Sequence, residues 1–429
     1  MATFVMDCGP IGESSAWSLA VFLVKVQRFP MNRRLLAVLC LLVAWCHGVD
    51  CFVARGQDGV AAPAATTPTP AAAPATATKV GVVVQVERPS CVMNFAPNPA
   101  DVTNMFNDGL KALTGQPDSA SAWKSLGIVP TDVVGIKIDT AGGVGLSTHR
   151  ELVATIVEGL IAAGVPGNKI IIWDKFSDHM RLAGWTPIGP GARTPAIVSV
   201  VPGASFDPKV FYVNEILGRL IWGDLQFRGT RPTAADLMNA TRRAVQAANP
   251  GFGDDESGSP AAPPSPDQTS NKSFYTTLLT QACTKIINVP VLSDSPATGI
   301  SGCLSTLAMG AVDNTRRFSA EPSWGDPAVP EILDKDFMRQ KVVLHVLDAF
   351  VAQYAGGPKF NPMFTTSIGA LYVSQDPVAV DTLVLKRMER WRKDNQIDPL
   401  GRQASHVATA ASYGLGEGDV KKIKLIKLP

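Results

Sequence analysis

The sequence predicts an α/β fold: a mainly parallel sheet with helices on both faces, built from βαβ units and carrying loop insertions. Three observations predict it. Short apolar runs of strand length recur along the chain. A helical pattern sits between two of them. Aspartates stand just past the runs, where open α/β sheets present the carboxyl ends of their strands. Composition agrees. Apolar residues make up 46% of the 429, which excludes wholesale disorder, and 37 glycines with 33 prolines are too many for a plain helical bundle. Lys and Arg total 39 against 37 Asp and Glu, so no basic face for nucleic acid is expected, and a small-molecule ligand stays open as a partner.

Residues 1–55 read as a leader. Arg33 and Arg34 precede an apolar run at 35–45, the plan of a signal peptide, with Met31 as the natural start. That run is short for a membrane span, so the membrane is touched only through the leader and the expectation is export, periplasmic or extracellular. Residues 56–78 are an Ala/Pro/Thr linker. The folded body is 79–429, with a Pro/Gly/Ser insertion at 250–272 expected to be mobile. Only Cys91, Cys283 and Cys303 fall in the body and no CxxC occurs, so no iron–sulfur cluster or zinc ribbon is expected, and one disulfide among the three stays open.

The elements follow in order. Residues 79–86 (KVGVVVQV) and 133–138 (VVGIKI) are apolar enough for buried strands. After a Gly-rich loop, 148–163 has helical spacing at Leu152, Ile156 and Leu160. Thr148 with Glu151 forms a capping box at its start, and Gly164 stops it. Residues 169–173 (KIIIW) are the next strand, which completes a right-handed βαβ unit. Strands recur at 285–292, 341–347 and 369–374. Asp376 as N-cap and Pro377 at the first helical position then open a helix through 394. KKIKLIKLP ends the chain as a strand whose lysines protect an edge.

Asp139, Asp174, Asp294, Asp348 and Asp376 each follow a strand. If those strands run the same way, the carboxylates converge on one rim. Their mutual repulsion then calls for a cation, a cationic ligand or raised pKa values. Hard oxygen ligands suit Mg²⁺ or Ca²⁺, without naming one. The plainer alternative is that Asp caps helices and starts turns, which is explicit for Asp376. His179, in DKFSDH, is the histidine best placed for acid–base work or metal ligation, whereas His345 inside an apolar strand reads as core. Gly142, Gly143 and Gly145 lie between a strand and a helix, where backbone N–H groups hold anions, and Lys137 stands in the strand before them. The loop lacks GK[ST] and a third spaced glycine, so it is neither a Walker loop nor a dinucleotide fingerprint.

Beyond these readings, the chain from about residue 130 onward resembles the domain of unknown function 362 (DUF362) family. The resemblance rests on VVGIKIDTAGG, IINVPVLSDSPATGISGCLSTLAMG, VLHVLDAFVAQYAGGP and YVSQDPVAVDTLVLKRM, in that order. It implies an α/β fold, export in some branches, and iron–sulfur binding only in members with a ferredoxin insert, which this chain lacks. It adds Gly356, Gly357 and Asp381 to the candidate ligand-binding positions. Where family members carry Lys and His after the NxP strand, this chain has Ser293 and Ser295; a frequent Lys-Asn pair appears as Ser305-Thr306. Two functions stay open. One is a metal-dependent enzyme or ligand binder using Asp139, Asp174, Asp294, Asp348 and His179. The other is a non-catalytic exported binding or scaffold protein that has lost the family's basic residues.

Overall fold

A computed structural model of the chain describes residues 81–219 and 269–429, apart from Pro190, Ala192, Arg193 and Pro202. The leader with Met31, the linker at 56–78 and the insertion through residue 268 lie outside the described residues.

The chain begins with β1 (Val82–Glu87), then a two-residue hairpin of β2 (Val92–Met93) and β3 (Ala96–Pro97). Helix α1 (Pro99–Thr114) follows because Asn98 accepts from the N–H groups of Ala100 and Asp101, and Pro99 is preset for the first turn. It buries Val102, Met105, Phe106, Gly109 and Leu110, one stripe at helical spacing. A short α2 (Ser119–Ser125) leads to β4 (Val134–Ile138), whose five residues are all buried. Then come α3 (Arg150–Ala162), β5 (Ile170–Phe176), α4 (Ser177–Leu182) and β6 (Ala196–Val201).

A long antiparallel pair, β7 (Phe206–Arg219) and β8 (Thr269–Thr276), stands apart from the main sheet. Residues 269–272 are therefore strand, and the expected insertion ends before them. β9 (Lys285–Val289) and β10 (Val291–Ser295) split at Pro290, which has no N–H for the ladder. β11 (Gly299–Ser301), α5 (Cys303–Ala311), α6 (Ala328–Leu333) and α7 (Asp336–Lys341) lead into β12 (Val342–Gln353). β13 (Thr365–Ser374), α8 (Pro377–Asp394), α9 (Ser405–Ser412) and β14 (Lys424–Leu428) complete the chain.

The sheet runs β14-β1-β13-β12-β9-β4-β5-β6, with β10 and β11 attached beside β12. β4 pairs parallel with β5 and β9, β5 with β6, and β12 with β9. The lysine-bearing β14 is the edge strand, parallel to β1. β13 is antiparallel to both β12 and β1, so along this path it alone points the other way. This corrects the expectation of five strands in one direction. β13 follows β12 after a short connection, too short for a crossover that would keep it parallel.

Two apolar layers sandwich the sheet. Phe106, Trp123, Leu152 and Ile156 pack against Ile136 and Val84 on one face. Leu304, Leu307, Val329, Val380 and Val384 pack with Ile286 and Leu347 on the other. Each such aromatic or aliphatic side chain contributes about 1.5–3 kcal/mol on burial. Gly159 inside α3, a position that costs about 1 kcal/mol relative to Ala, has a reason: a Cβ there would lie 2.5 Å from Trp123 Nε1. Helix α3 starts at Arg150 with His149 as its cap residue, and the capping box of Thr148 with Glu151 does not form. The Thr148 hydroxyl accepts the Asp139 N–H at 2.8 Å and donates to Val289 O at 2.7 Å, linking β4 to β9 instead. Asp376 and Pro377 open α8 as expected, with the Ala379 N–H on Asp376 Oδ1 at 2.8 Å. Cys91, Cys283 and Cys303 are buried free thiols. Among the described residues, no helix is long and apolar enough to cross a membrane.

Candidate functional site

Asp139, Asp174 and Asp294 stand at or near the carboxyl ends of β4, β5 and β10, but β12 runs on to Gln353 and carries Asp348 in its middle, not past its end as expected. All four are nearly or fully buried. A buried carboxylate needs hydrogen bonds or a counter-charge, and each of these finds its own. Asp174 lies 2.8 Å from Lys137 Nζ, a lysine only 2% exposed that also donates to Ile138 O. The Thr140 N–H and hydroxyl both reach Asp174 Oδ2, at 2.9 and 2.5 Å. Burial pushes the Asp174 pKa up, but the Lys137 charge and these hydrogen bonds hold it below the ordinary value.

Asp348 lies inside β12 and is fully buried. Its Oδ2 accepts the backbone N–H of His149 at 2.9 Å and faces His149 Nδ1 at 2.8 Å. The start of α3 is thus an anion site, as the Gly-rich loop suggests, but the anion is a carboxylate of this chain. The loop itself turns inward. Gly143 N–H goes to Thr140 O, Leu146 N–H to Gly143 O, and Phe360 N–H to Gly142 O, while Gly145 packs under the Phe360 ring.

Asp294 is held by neutral donors: Gln353 Nε2 at 3.1 Å and the Gly357 N–H at 2.8 Å. A Cβ on Gly357 would lie 2.6 Å from Asp294 O, so only glycine lets this backbone come so close. Gln353 is fully buried and ties the strand end to the returning loop, accepting the Asn361 N–H at 2.7 Å.

Asp139, like Asp294, is held by neutral donors. Its Oδ1 accepts the Ala141 N–H at 3.2 Å; its Oδ2 accepts the Ser301 hydroxyl at 2.8 Å, with the Thr306 hydroxyl at 3.4 Å. Among the described residues it has no basic partner within ion-pair distance. His179 in α4 packs its ring edge-on to Phe176 and is within electrostatic reach of Asp174, Lys359, Asp139 and Asp178. Burial and the Lys359 charge outweigh those carboxylates and lower the His179 pKa, so its ring is neutral at pH 7. Exposed Lys359 donates to Ala141 O at 3.1 Å, on the same mouth. Beside Asp139 the donors are the hydroxyls of Ser301 and Thr306.

Asp376 does not join this rim. It lies past the end of antiparallel β13, beside the opening of β1, where its Oδ2 accepts the Glu417 N–H at 2.9 Å. Asp381 is fully buried and accepts from Cys303 and Leu304 N–H at 2.7 and 2.9 Å, which makes it the cap of α5. Gly356 turns the chain ahead of Gly357 with φ +81°. His345 is core, 3.2 Å from Asn288, and burial drives its pKa down to about 3. Sequence reasoning missed His149, Gln353, Ser301 and Thr140 as working side chains. Only His149, next to a helix start, carried any local signal. Among the described residues no group of three His, Cys, Asp or Glu side chains is placed to hold a metal ion.

The fold is a mostly parallel α/β one that gathers buried aspartates near the ends of its central strands. Residues 234–386 match the family model described as domain of unknown function (DUF362), so the resemblance read in the sequence is supported over that segment. It includes Asp294, Asp348, Gly356, Gly357, Asp376 and Asp381, and stops short of Asp139 and Asp174 on the N-terminal side. A crystal structure of a structural-genomics target from Thermotoga maritima is 13% identical, with a TM-score of 0.35. That similarity covers 71% of this chain and 61% of that one, so the chain spans less than two thirds of its length. No curated protein matches.

Proposed function

We propose that this is an exported, non-catalytic binding protein that holds a small polar ligand at the mouth formed by Asp139, Ser301, Thr306, His179 and Lys359. One observation carries the reading: Asp139 has no basic partner among the described residues, and its Oδ2 is met by two hydroxyls, of Ser301 and Thr306, rather than by backbone amides. The ligand that fits offers a hydrogen-bond donor, such as an ammonium or hydroxyl, to Asp139 and an acidic group to Lys359. Small amino acids and hydroxy acids have that chemistry. Asp174 and Asp348 are spent on Lys137 and His149, and Asp294 on Gln353 and Gly357, which supports binding over acid–base turnover. Export rests on Arg33, Arg34 and the apolar run behind them.

The test is the melting temperature of the full chain against amino acids, small hydroxy acids and amines, alongside MgCl₂ and CaCl₂. A ligand bound only by the folded state raises it. At least one organic ligand should do so in the wild type and fail in Asp139→Asn. A rise given only by the divalent cations, or one unchanged in Asp139→Asn, overturns the reading.

A further inference from the structure

A cavity of about 350 Å³ opens between β7, the end of α6 and the end of α9. The rings of Phe211, Tyr212 and Tyr413 line it, together with the Glu331 side chain. The Tyr212 hydroxyl donates to Glu331 Oε2 at 2.5 Å and the Tyr413 hydroxyl to Oε1 at 3.1 Å. Both phenols thus aim the carboxylate, and neither neutralises it. Among the described residues Glu331 has no ion pair within 4.0 Å. Its neighbour on the wall, Asp334, is paired with Arg339 at 2.5 Å, and Arg339 also donates to the Tyr413 backbone O at 2.8 Å, which anchors the chain at that residue. Lys335 lies on the rim and is exposed, without closing a salt bridge on Glu331. Tyr413 itself is 37% exposed and open to a ligand.

A carboxylate without a counter-ion, set among aromatic rings, is the environment that recognises an organic cation. Ring faces attract the charge by about 0.5–2 kcal/mol, more when water is excluded. The chain already uses two of these rings so, with Lys272 Nζ 4.3 Å from the centre of Phe211 and the Arg317 guanidinium carbon 5.6 Å from that of Tyr212, which leaves Tyr413 as the open ring. The volume suits one small molecule. From the geometry we infer that this cavity binds a small alkylammonium ion, seated on Tyr413 with its charge toward Glu331. The site is separate from the Asp139 mouth and stands or falls independently of it.

Saturation-transfer NMR with tetramethylammonium, on the full chain, tests this. Its neutral isostere, tert-butanol, is the control. The wild type should transfer saturation to the cation at least fivefold more than to tert-butanol. Tyr413→Ala, at an exposed position, should reduce the cation signal at least fivefold, and Glu331→Gln likewise. Lys335→Ala, which removes a competing positive charge, should strengthen it. If Glu331→Gln does not fold, Tyr413→Ala and Lys335→Ala decide. Equal signals from cation and isostere, or a signal unchanged in Tyr413→Ala, overturn the inference.

Discussion

His149 and Asp348 are joined twice: the His149 backbone N–H and ring Nδ1 both reach Asp348 Oδ2, at 2.9 and 2.8 Å. One carboxylate in β12 therefore holds the first turn of α3, 199 residues away in sequence. Burial alone would lower the His149 pKa, but the charge and hydrogen bond of Asp348 outweigh it and raise it above 6.5. A histidine whose folded pKa lies above its unfolded one stabilises fully below about pH 6.5 and loses that contribution as pH rises through the folded value. His149→Gln should cost about 3 kcal/mol at pH 6. Urea midpoints from pH 5.5 to 9 should show the gap between wild type and variant narrowing as pH rises. A gap that stays constant would contradict the pairing.

Lys137 and Asp174 form a buried pair at 2.8 Å. Removing one partner leaves the other's charge uncompensated, so Lys137→Met and Asp174→Asn should each cost about 3–5 kcal/mol. The double variant should cost less than the sum, with a coupling of at least about 1 kcal/mol. Denaturant unfolding of the four proteins measures this. Additive costs would mean that the two groups act separately.

Asp381 is fully buried, and burial drives its pKa up to about 7 in spite of the Cys303 and Leu304 N–H groups. Its folded pKa lies above the unfolded value near 4, so folding takes up a proton between those limits. Stability then falls as pH rises from about 4 to 7, by on the order of 4 kcal/mol from this one group. Asp381→Asn, which keeps a carbonyl oxygen to cap α5, should flatten that slope and unfold no more easily than wild type at pH 8. An identical slope in the two proteins would show that Asp381 is ionised throughout.

The elements that were legible in the sequence are those specified locally. Asp376-Pro377 opens α8 because both the cap and the fixed φ belong to adjacent residues, and β4-α3-β5 follows from apolar spacing alone. Thr148 misled because its hydroxyl has a better partner in Val289 O, a contact no local pattern announces. The direction of β13 was equally hidden: an apolar strand carries no sign of which way it runs, and Asp376 leaves the rim for that reason. Asp139, Asp174 and Asp294 could be placed near strand ends, Asp348 could not because β12 continues past it, and the donors of all four were hidden. Lys137, Gln353 and His149 come from other strands, a later loop or the next helix start, and pairing is a property of the assembled sheet.

Native mass spectrometry of the full chain, purified without exchange into strong salt, tests the Asp139 site most directly. The wild type should carry a small polar molecule that Asp139→Asn has lost and that Asp108→Asn, on the exposed side of α1, retains. An adduct present equally in all three proteins, or found only as divalent metal, would show that Asp139 holds no such ligand.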